Sequence, residues 1–184
     1  NLDKSDINIA YCPERVLPGS ILHELENNDR VIGGISQKSS NFAKSFYSKF
    51  CSGELIITDC KTAEMVKLSE NSFRDVNIAY ANELSMLCDN LDVDVHELIS
   101  IANRHPRVNI LNPGCGVGGH CIAIDPWFLA SEDENITEII QTARKVNNEK
   151  EDWVFSKIKN TVFEIQKKLD RPVSVACLGL SYKP

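Results

Sequence analysis

The chain has 184 residues, enough for one sizeable core or for one domain and pieces of others, and 20 Lys and Arg against 26 Asp and Glu give a formal net charge of -6. That balance gives no reason to expect nucleic acid or an anionic membrane as partner, and no apolar run approaches the roughly 20 residues that span a bilayer. No charged-then-apolar leader opens the sequence, so a cytoplasmic protein is expected.

In chain order, residues 7–12 alternate weakly and stop at Pro13, and 30–35 form a short β-branched run with glycines near its end; both are predicted strands. Phe42, Phe46 and Phe50 share helical spacing, which predicts a helix over 40–50 capped by Ser39 or Ser40, and 54–58 resumes strand character. The first 60 residues therefore read as α/β layering. From Thr62 to Asp89 no Gly or Pro intervenes, and Met65, Val66, Phe73, Val76, Tyr80, Leu84 and Leu87 share one arc of about 100° on a helical wheel. A helix of about 28 residues, roughly 42 Å long, is predicted there. Further helices are predicted over 95–103 and 136–169, the second of which the Asn147-Asn148 pair could interrupt. Residues 172–179 read as a buried strand ending in glycine, the opening of another α/β unit.

Cysteines stand at 12, 51, 60, 88, 115, 121 and 177, an odd set with no Cys-x-x-Cys pair, so neither a disulfide framework nor a metal site is expected. Cys88 and Cys177, among apolar neighbours, are expected in the core. Asn1 in place of Met, and an end directly after an apolar run, read as marks of an internal piece of a longer protein.

Three constellations could carry chemistry. Lys67, Asn71 and Arg74 are spaced i, i+4, i+7 and share one face of the long helix, nearly opposite the apolar arc. This is either a solvated polar face or a line of donors toward a polar or anionic ligand, where a partly desolvated Lys67 could also transfer protons. Residues 103–107 pack Arg104, His105 and Arg107 around Pro106, which suits either a cationic helix end or a clamp for a diphosphate or sugar. The third constellation is the glycine-rich segment 112–128, which presents Cys121 with His120 before it and Asp125 four residues after. Cys121 is either a buried structural thiol or a nucleophile whose carboxylate neighbour handles protons or water. Glu14, at a predicted strand end, is a further carboxylate available to such a site. Residues 114–119 formally satisfy the G-x-G-x-x-G pattern of dinucleotide-binding loops. They fail on context, since Asn112-Pro113 stands where a strand is needed and Pro126 would break a following helix within its second turn.

Five motifs, at 12–19, 28–34, 62–76, 103–109 and 116–126, resemble in order those of the UDP-glucose/GDP-mannose dehydrogenases, and the resemblance covers essentially the whole chain. It implies NAD-dependent oxidation of the C6 alcohol of a UDP-sugar substrate to a carboxylate in two steps, through an aldehyde and a cysteine thioester. On that resemblance Cys121 is the nucleophile, and Lys67 is the proton donor or acceptor that, with Asn71, stabilises charge on oxygen. Asp125 orients or activates water, and Glu14 supports hydrolysis. Arg15, Val16, Arg74, His105, Arg107 and Gly118 match substrate-binding positions in the branch acting on N-acetylmannosamine nucleotides, and Lys183 is a further candidate. Glucose-type members carry a second carboxylate four residues after the position of Glu14; here Pro18 stands there, as in the mannosamine branch. In the family the segment matching His105 and Arg107 reaches a neighbouring subunit's site, which implies a homodimer built on the long helix.

The expected fold is an α/β remnant, a mainly helical central domain of the 6-phosphogluconate-dehydrogenase-like dimerisation type, and the first strand of a second α/β domain. Residues 1–60 are expected to be the C-terminal part of an NAD-binding Rossmann-like domain, 61–170 the central domain, and 171–184 the start of a UDP-binding domain. The main cofactor site is then expected outside these residues, and the chain alone is expected to be inactive. The expected substrate is UDP-N-acetyl-D-mannosamine, with UDP-glucose or another nucleotide sugar as the alternative. Rivals of other classes are a non-catalytic helical dimerisation module and a Cys/His hydrolase with His105 or His120 as base.

Overall fold

The computed structural model describes residues 7–17 and 19–179, so Pro18 and Lys183 lie outside the described residues. Two compact units meet between Glu70 and Asn71, inside one helix.

In the first unit the β-branched run forms strand β2 (Arg30–Gly34), parallel to β3 (Leu55–Asp59), with Arg30 opposite Leu55 and Gly34 opposite Asp59. Helix α2 (Gln37–Tyr47) supplies the crossover that a parallel pair requires. Strand β1 (Ala10–Tyr11) is shorter than the predicted 7–12; it lies antiparallel to β2 and gives the order β1-β2-β3. Val31 and Ile32 are buried. Helix α1 (Ile21–Asn27) was not predicted: none of its residues is buried, so it carries no apolar periodicity to read.

Helix α2 starts three residues before the predicted 40–50, and its cap is Ser36, whose Oγ accepts from the Ser39 N–H at 3.2 Å. Ser39 and Ser40 are buried inside the helix instead. Their hydroxyls accept from the N–H groups of Ile9 at 3.3 Å and Gly34 at 3.0 Å, tying the strand ends to α2.

Helix α3 (Cys60–Leu91) extends the predicted 62–89 by two residues at each end, to 32 residues, and runs through both units. Helix α4 (Val95–Ala102) is capped by Asp94, whose Oδ1 accepts from the N–H groups of His96 at 2.8 Å and Glu97 at 3.3 Å. Helix α5 (Asp125–Glu132) was not predicted, and α6 (Glu138–Leu169) is continuous.

Asn147 and Asn148 do not interrupt α6 because their side chains are committed sideways. Asn147 Nδ2 donates to the Asp75 carbonyl at 3.1 Å and to Asp75 Oδ1 at 2.8 Å, while its Oδ1 accepts from Asn82 Nδ2 at 2.9 Å. Asn148 Oδ1 accepts from Arg144 Nη2 at 2.7 Å. Asparagine weakens helices by offering the local backbone alternative hydrogen bonds, and amides so occupied cannot.

The second unit also reverses the expected wheel of α3. Phe73, Tyr80 and Leu87 of the apolar arc are 70%, 54% and 52% exposed, whereas Asn71, Asp75 and Asn82 are buried. These three polar residues fall within about 40° of one another on the opposite side. The seam between α3 and α6 is therefore built on polar pairing, led by Arg144 Nη1 to Asp75 Oδ1 at 2.6 Å. Burial holds the Asp75 carboxyl above its ordinary range, against the pull of Arg144 and Asn147. Lys150 Nζ donates to Ser85 Oγ at 2.6 Å and lies 3.9 Å from the Trp153 ring centre; burial pushes its pKa down.

Residues 172–179 differ from the predicted buried strand: they pair with no strand among the described residues, and Cys177 is exposed while Cys88 is buried. An extended segment becomes a strand only when a neighbour pairs its backbone groups. Among the described residues no helix is long and apolar enough to cross a membrane.

Candidate active site

The loop between α4 and α5 carries the reactive possibilities. Residues 119–124 turn, with Gly119 at φ 88°, a region that favours glycine. The Cys121 carbonyl accepts from the Ile124 N–H at 3.1 Å and the Asp125 N–H at 2.8 Å. Asp125 thus stands one turn beyond Cys121 and opens α5, where a carboxylate suits the positive end of the helix. Pro126 sits in the first turn of α5, a position where its missing N–H costs nothing, so it helps to start the helix it was expected to break. Cys121 is exposed, not a buried structural thiol. Asp125 is half-buried, and its Oδ2 accepts from Asn71 Nδ2 at 2.5 Å. Asn71, expected on a polar face of α3, is itself buried and anchors the carboxylate.

Upstream, Asn103 closes the loop that presents the basic cluster: its Nδ2 donates to the Ile110 carbonyl at 2.9 Å and its Oδ1 accepts from the Ile110 N–H at 2.7 Å. Arg104, His105 and Arg107 are exposed on that loop, and His105 Nδ1 accepts from the Arg107 N–H at 3.4 Å. Gly116, Val117 and Gly118 face Glu151, Phe155 and Ile158 of α6 across an open groove of about 700 Å³, a size that admits a drug-sized ligand. A Cβ on Gly116 would lie 2.6 Å from Glu151 Oε1, so a larger residue there would push that exposed side chain aside.

In the first unit, Glu14 Oε1 accepts from the N–H groups of Arg15 at 2.7 Å and Val16 at 3.1 Å, and Oε2 lies 3.6 Å from Arg30 Nη1. Arg15 forms a two-pronged pair with Glu70, Nη2 to Oε1 at 2.7 Å and Nε to Oε2 at 3.1 Å. Glu14, Arg15 and Val16 line a cleft of about 10 Å³, no more than a water's room. Lys67 is half-buried and Arg74 exposed, and neither pairs with another side chain among the described residues. Sequence reasoning missed Glu70, Asp75, Asn82, Arg144 and Asn147. The available signal was the stripe Asn71, Asp75, Asn82 on α3, polar at helical spacing and free of Lys or Glu.

The G-x-G-x-x-G of residues 114–119 follows no strand and is separated from the start of α5 by a turn, so it is not a dinucleotide cradle. His105 Nδ1 is taken by the Arg107 N–H, and no hydrogen bond joins His105 or His120 to the Cys121 thiol among the described residues.

Two domain patterns of one family match this chain: the NAD binding domain of the UDP-glucose/GDP-mannose dehydrogenase family over residues 1–51, and the central domain over 61–149. The chain belongs to the UDP-glucose/GDP-mannose dehydrogenase family. It is 58% identical over 180 residues to a UDP-N-acetyl-D-mannosamine dehydrogenase from Campylobacter jejuni, covering 98% of this chain and 43% of that protein. It is 55% identical over 181 residues to an NDP-N-acetyl-D-galactosaminuronic acid dehydrogenase from Ralstonia nicotianae, covering 98% of this chain and 42% of that protein. The solved UDP-D-ManNAc dehydrogenase from Pyrococcus horikoshii superposes with a TM-score of 0.80 at 45% identity, over 88% of this chain and 38% of that one. The chain thus spans less than half the length of these relatives.

Proposed function

We propose that this chain provides the thiol-bearing part of an NAD-dependent dehydrogenase that oxidises C6 of UDP-N-acetyl-D-mannosamine to the carboxylate. The observation that carries the reading is the accessible Cys121 with Asp125 one turn beyond it, the carboxylate anchored by Asn71 one turn after Lys67 on α3. NAD supplies the hydride acceptor in both oxidations. In the first, Lys67 takes the hydroxyl proton as the alcohol becomes an aldehyde. The Cys121 thiolate then adds to the aldehyde carbon; a C–S bond forms and the carbonyl oxygen, protonated by Lys67, becomes the thiohemiacetal hydroxyl. Loss of the second hydride and of that proton gives the thioester. Water oriented by Asp125 attacks its carbonyl, the C–S bond breaks, and the thiol is restored as the uronate leaves. Asn71 steadies the charge that develops on oxygen, and Glu14 supports the hydrolytic step.

Arg15, Val16, Arg74, His105, Arg107, Gly118 and Lys183 hold the nucleotide sugar in this reading, and Arg forks suit its diphosphate. Residues 1–60 serve as part of the NAD-binding domain, 61–170 as the central domain and 171–184 as the start of a UDP-binding domain. A cytoplasmic location suits a mechanism that needs Cys121 reduced. The relative named for an N-acetylgalactosaminuronic acid product makes the galactosamine nucleotide the second reading. The full-length protein, assayed against both N-acetylhexosamine nucleotides, UDP-glucose and GDP-mannose, is expected to form two NADH per sugar, fastest with UDP-N-acetyl-D-mannosamine. The same sugar should slow alkylation of Cys121. No NADH with any of them, or no protection of the thiol, would overturn the assignment.

A homodimer through α3 belongs to the same proposal, because a second copy would cover the apolar stripe of Phe73, Tyr80 and Leu87 that the chain leaves exposed. Phe73→Glu with Tyr80→Glu should convert the dimer to a monomer in sedimentation. A wild-type protein that sediments as a monomer at micromolar concentration would rule the dimer out.

A further inference from the structure

Two amides of α3 hold the two ends of the Cys121 loop. Asn71 binds Asp125 at the downstream end, and Asn82, fully buried, accepts the Gly114 N–H at 2.8 Å at the upstream end. They lie eleven positions apart on the same face, about 16 Å along the helix. Only Asn71 belongs to the family motif quoted above.

The direction of the Asn82 amide is set from behind. Its Nδ2 donates to Asn147 Oδ1 at 2.9 Å, and Asn147 Nδ2 donates in turn to Asp75 Oδ1 at 2.8 Å and to the Asp75 carbonyl at 3.1 Å. A backbone carbonyl can only accept, so Asn147 must present its NH2 to Asp75 and its oxygen to Asn82. Asn82 must therefore present its NH2 to Asn147 and its oxygen to the loop. Arg144, paired with Asp75 at 2.6 Å, holds that end of the relay in place. All four side chains are at least 94% buried, so flipping either amide would leave donors facing donors without water to separate them.

We propose that Asn82 is a positioning residue for the Cys121 loop, its amide held in the accepting orientation by Asn147. The proposal rests on the dehydrogenase reading only for its catalytic consequence; the loop geometry stands apart from it. Asn82→Leu keeps the branched shape and removes both polar groups, whereas Asn82→Asp keeps an acceptor for Gly114. In the full-length protein, Asn82→Leu should lower kcat by about 10²-fold with KM changed by less than about 3-fold, the scale that a misplacement near 1 Å produces. Asn82→Asp should recover at least about 10-fold of that loss, since a carboxyl kept protonated by burial still accepts from the Gly114 N–H and donates to Asn147 Oδ1. A purely structural role predicts lowered melting temperatures in both variants and an unchanged kcat wherever they are folded; that outcome would overturn the proposal.

Alkylation of Cys121 by iodoacetamide separates this from failure of the dehydrogenase reading. If the wild type oxidises no nucleotide sugar, the labelling rate should still differ between wild type and Asn82→Leu, and equal rates would refute the positioning role. Should both variants fail to fold, amide exchange in the wild type decides. The Gly114 N–H should exchange with the slow α3–α6 core, and exchange as fast as that of Gly116 and Gly118 would sink the idea.

Discussion

Cys121→Ser in the full-length protein is expected to stop the reaction before the acid, with uronate formation falling by about 10³-fold or more. A serine hydroxyl has the right shape but is scarcely ionised near neutrality, whereas a thiol is partly so and is intrinsically the stronger nucleophile. Cys121 is exposed, and its side chain takes no part in the hydrogen bonds that shape the turn, which use its carbonyl. The substitution should therefore leave the loop intact. Without the thiohemiacetal C6 stays a trigonal aldehyde, with no adduct oxygen to drive the second hydride off, so NADH should drop from two to at most one per sugar. Mass spectrometry should find sugar and aldehyde but no uronate. Normal uronate formation by this variant would remove Cys121 from the chemistry.

The largest effect on stability is expected from Arg144→Ala. Removing one partner of a buried ion pair costs about 3–5 kcal/mol, mostly because the other charge is left buried and uncompensated. Here the orphan is Asp75, fully buried, with Oδ2 lacking a hydrogen-bond partner even when Arg144 is present. The effect carries a pH signature. Burial already raises the Asp75 carboxyl, and Arg144 is the first of the groups that lower it, so the variant raises it further. A carboxyl raised in the folded state contributes stability that is fully present below its unfolded value, about 3.9, and lost as pH rises through the folded value. The destabilisation should thus be smallest near pH 4 and grow toward neutrality, as read from denaturant midpoints. A difference that is constant with pH would mean that Asp75 is not the group left exposed to the loss.

What was legible in the sequence follows physical lines. Strands β2 and β3 and helices α3, α4 and α6 were each marked by a run or a period long enough to survive local noise, and each lies within a few residues of its expected bounds. Helix α1 buries nothing and so leaves no pattern, and α5 is hidden because a proline in sequence reads as a breaker where it serves as a starter. The strand expected at 172–179 has the composition of a strand but no neighbour among the described residues, and composition cannot supply one. In the site, the Cys121–Asp125 spacing was visible because it is local. The Asn71–Asp125 bond, 54 residues apart in sequence, and the relay from Asp75 to Gly114 were not, since they depend on which face of α3 turns inward. A wheel reports where apolar side chains gather; it does not say whether they face the chain's own core or the outside.

Arg15 shows what such a placement means for binding. Its guanidinium already holds both oxygens of Glu70, with side chains only about one third exposed. An arriving phosphate or carboxylate would meet a cation that is already engaged, and would have to take it from Glu70. In the proposed role, the selectivity of Arg15 would be a difference between two anions competing for one fork, with Glu70 setting the threshold that a ligand would have to exceed.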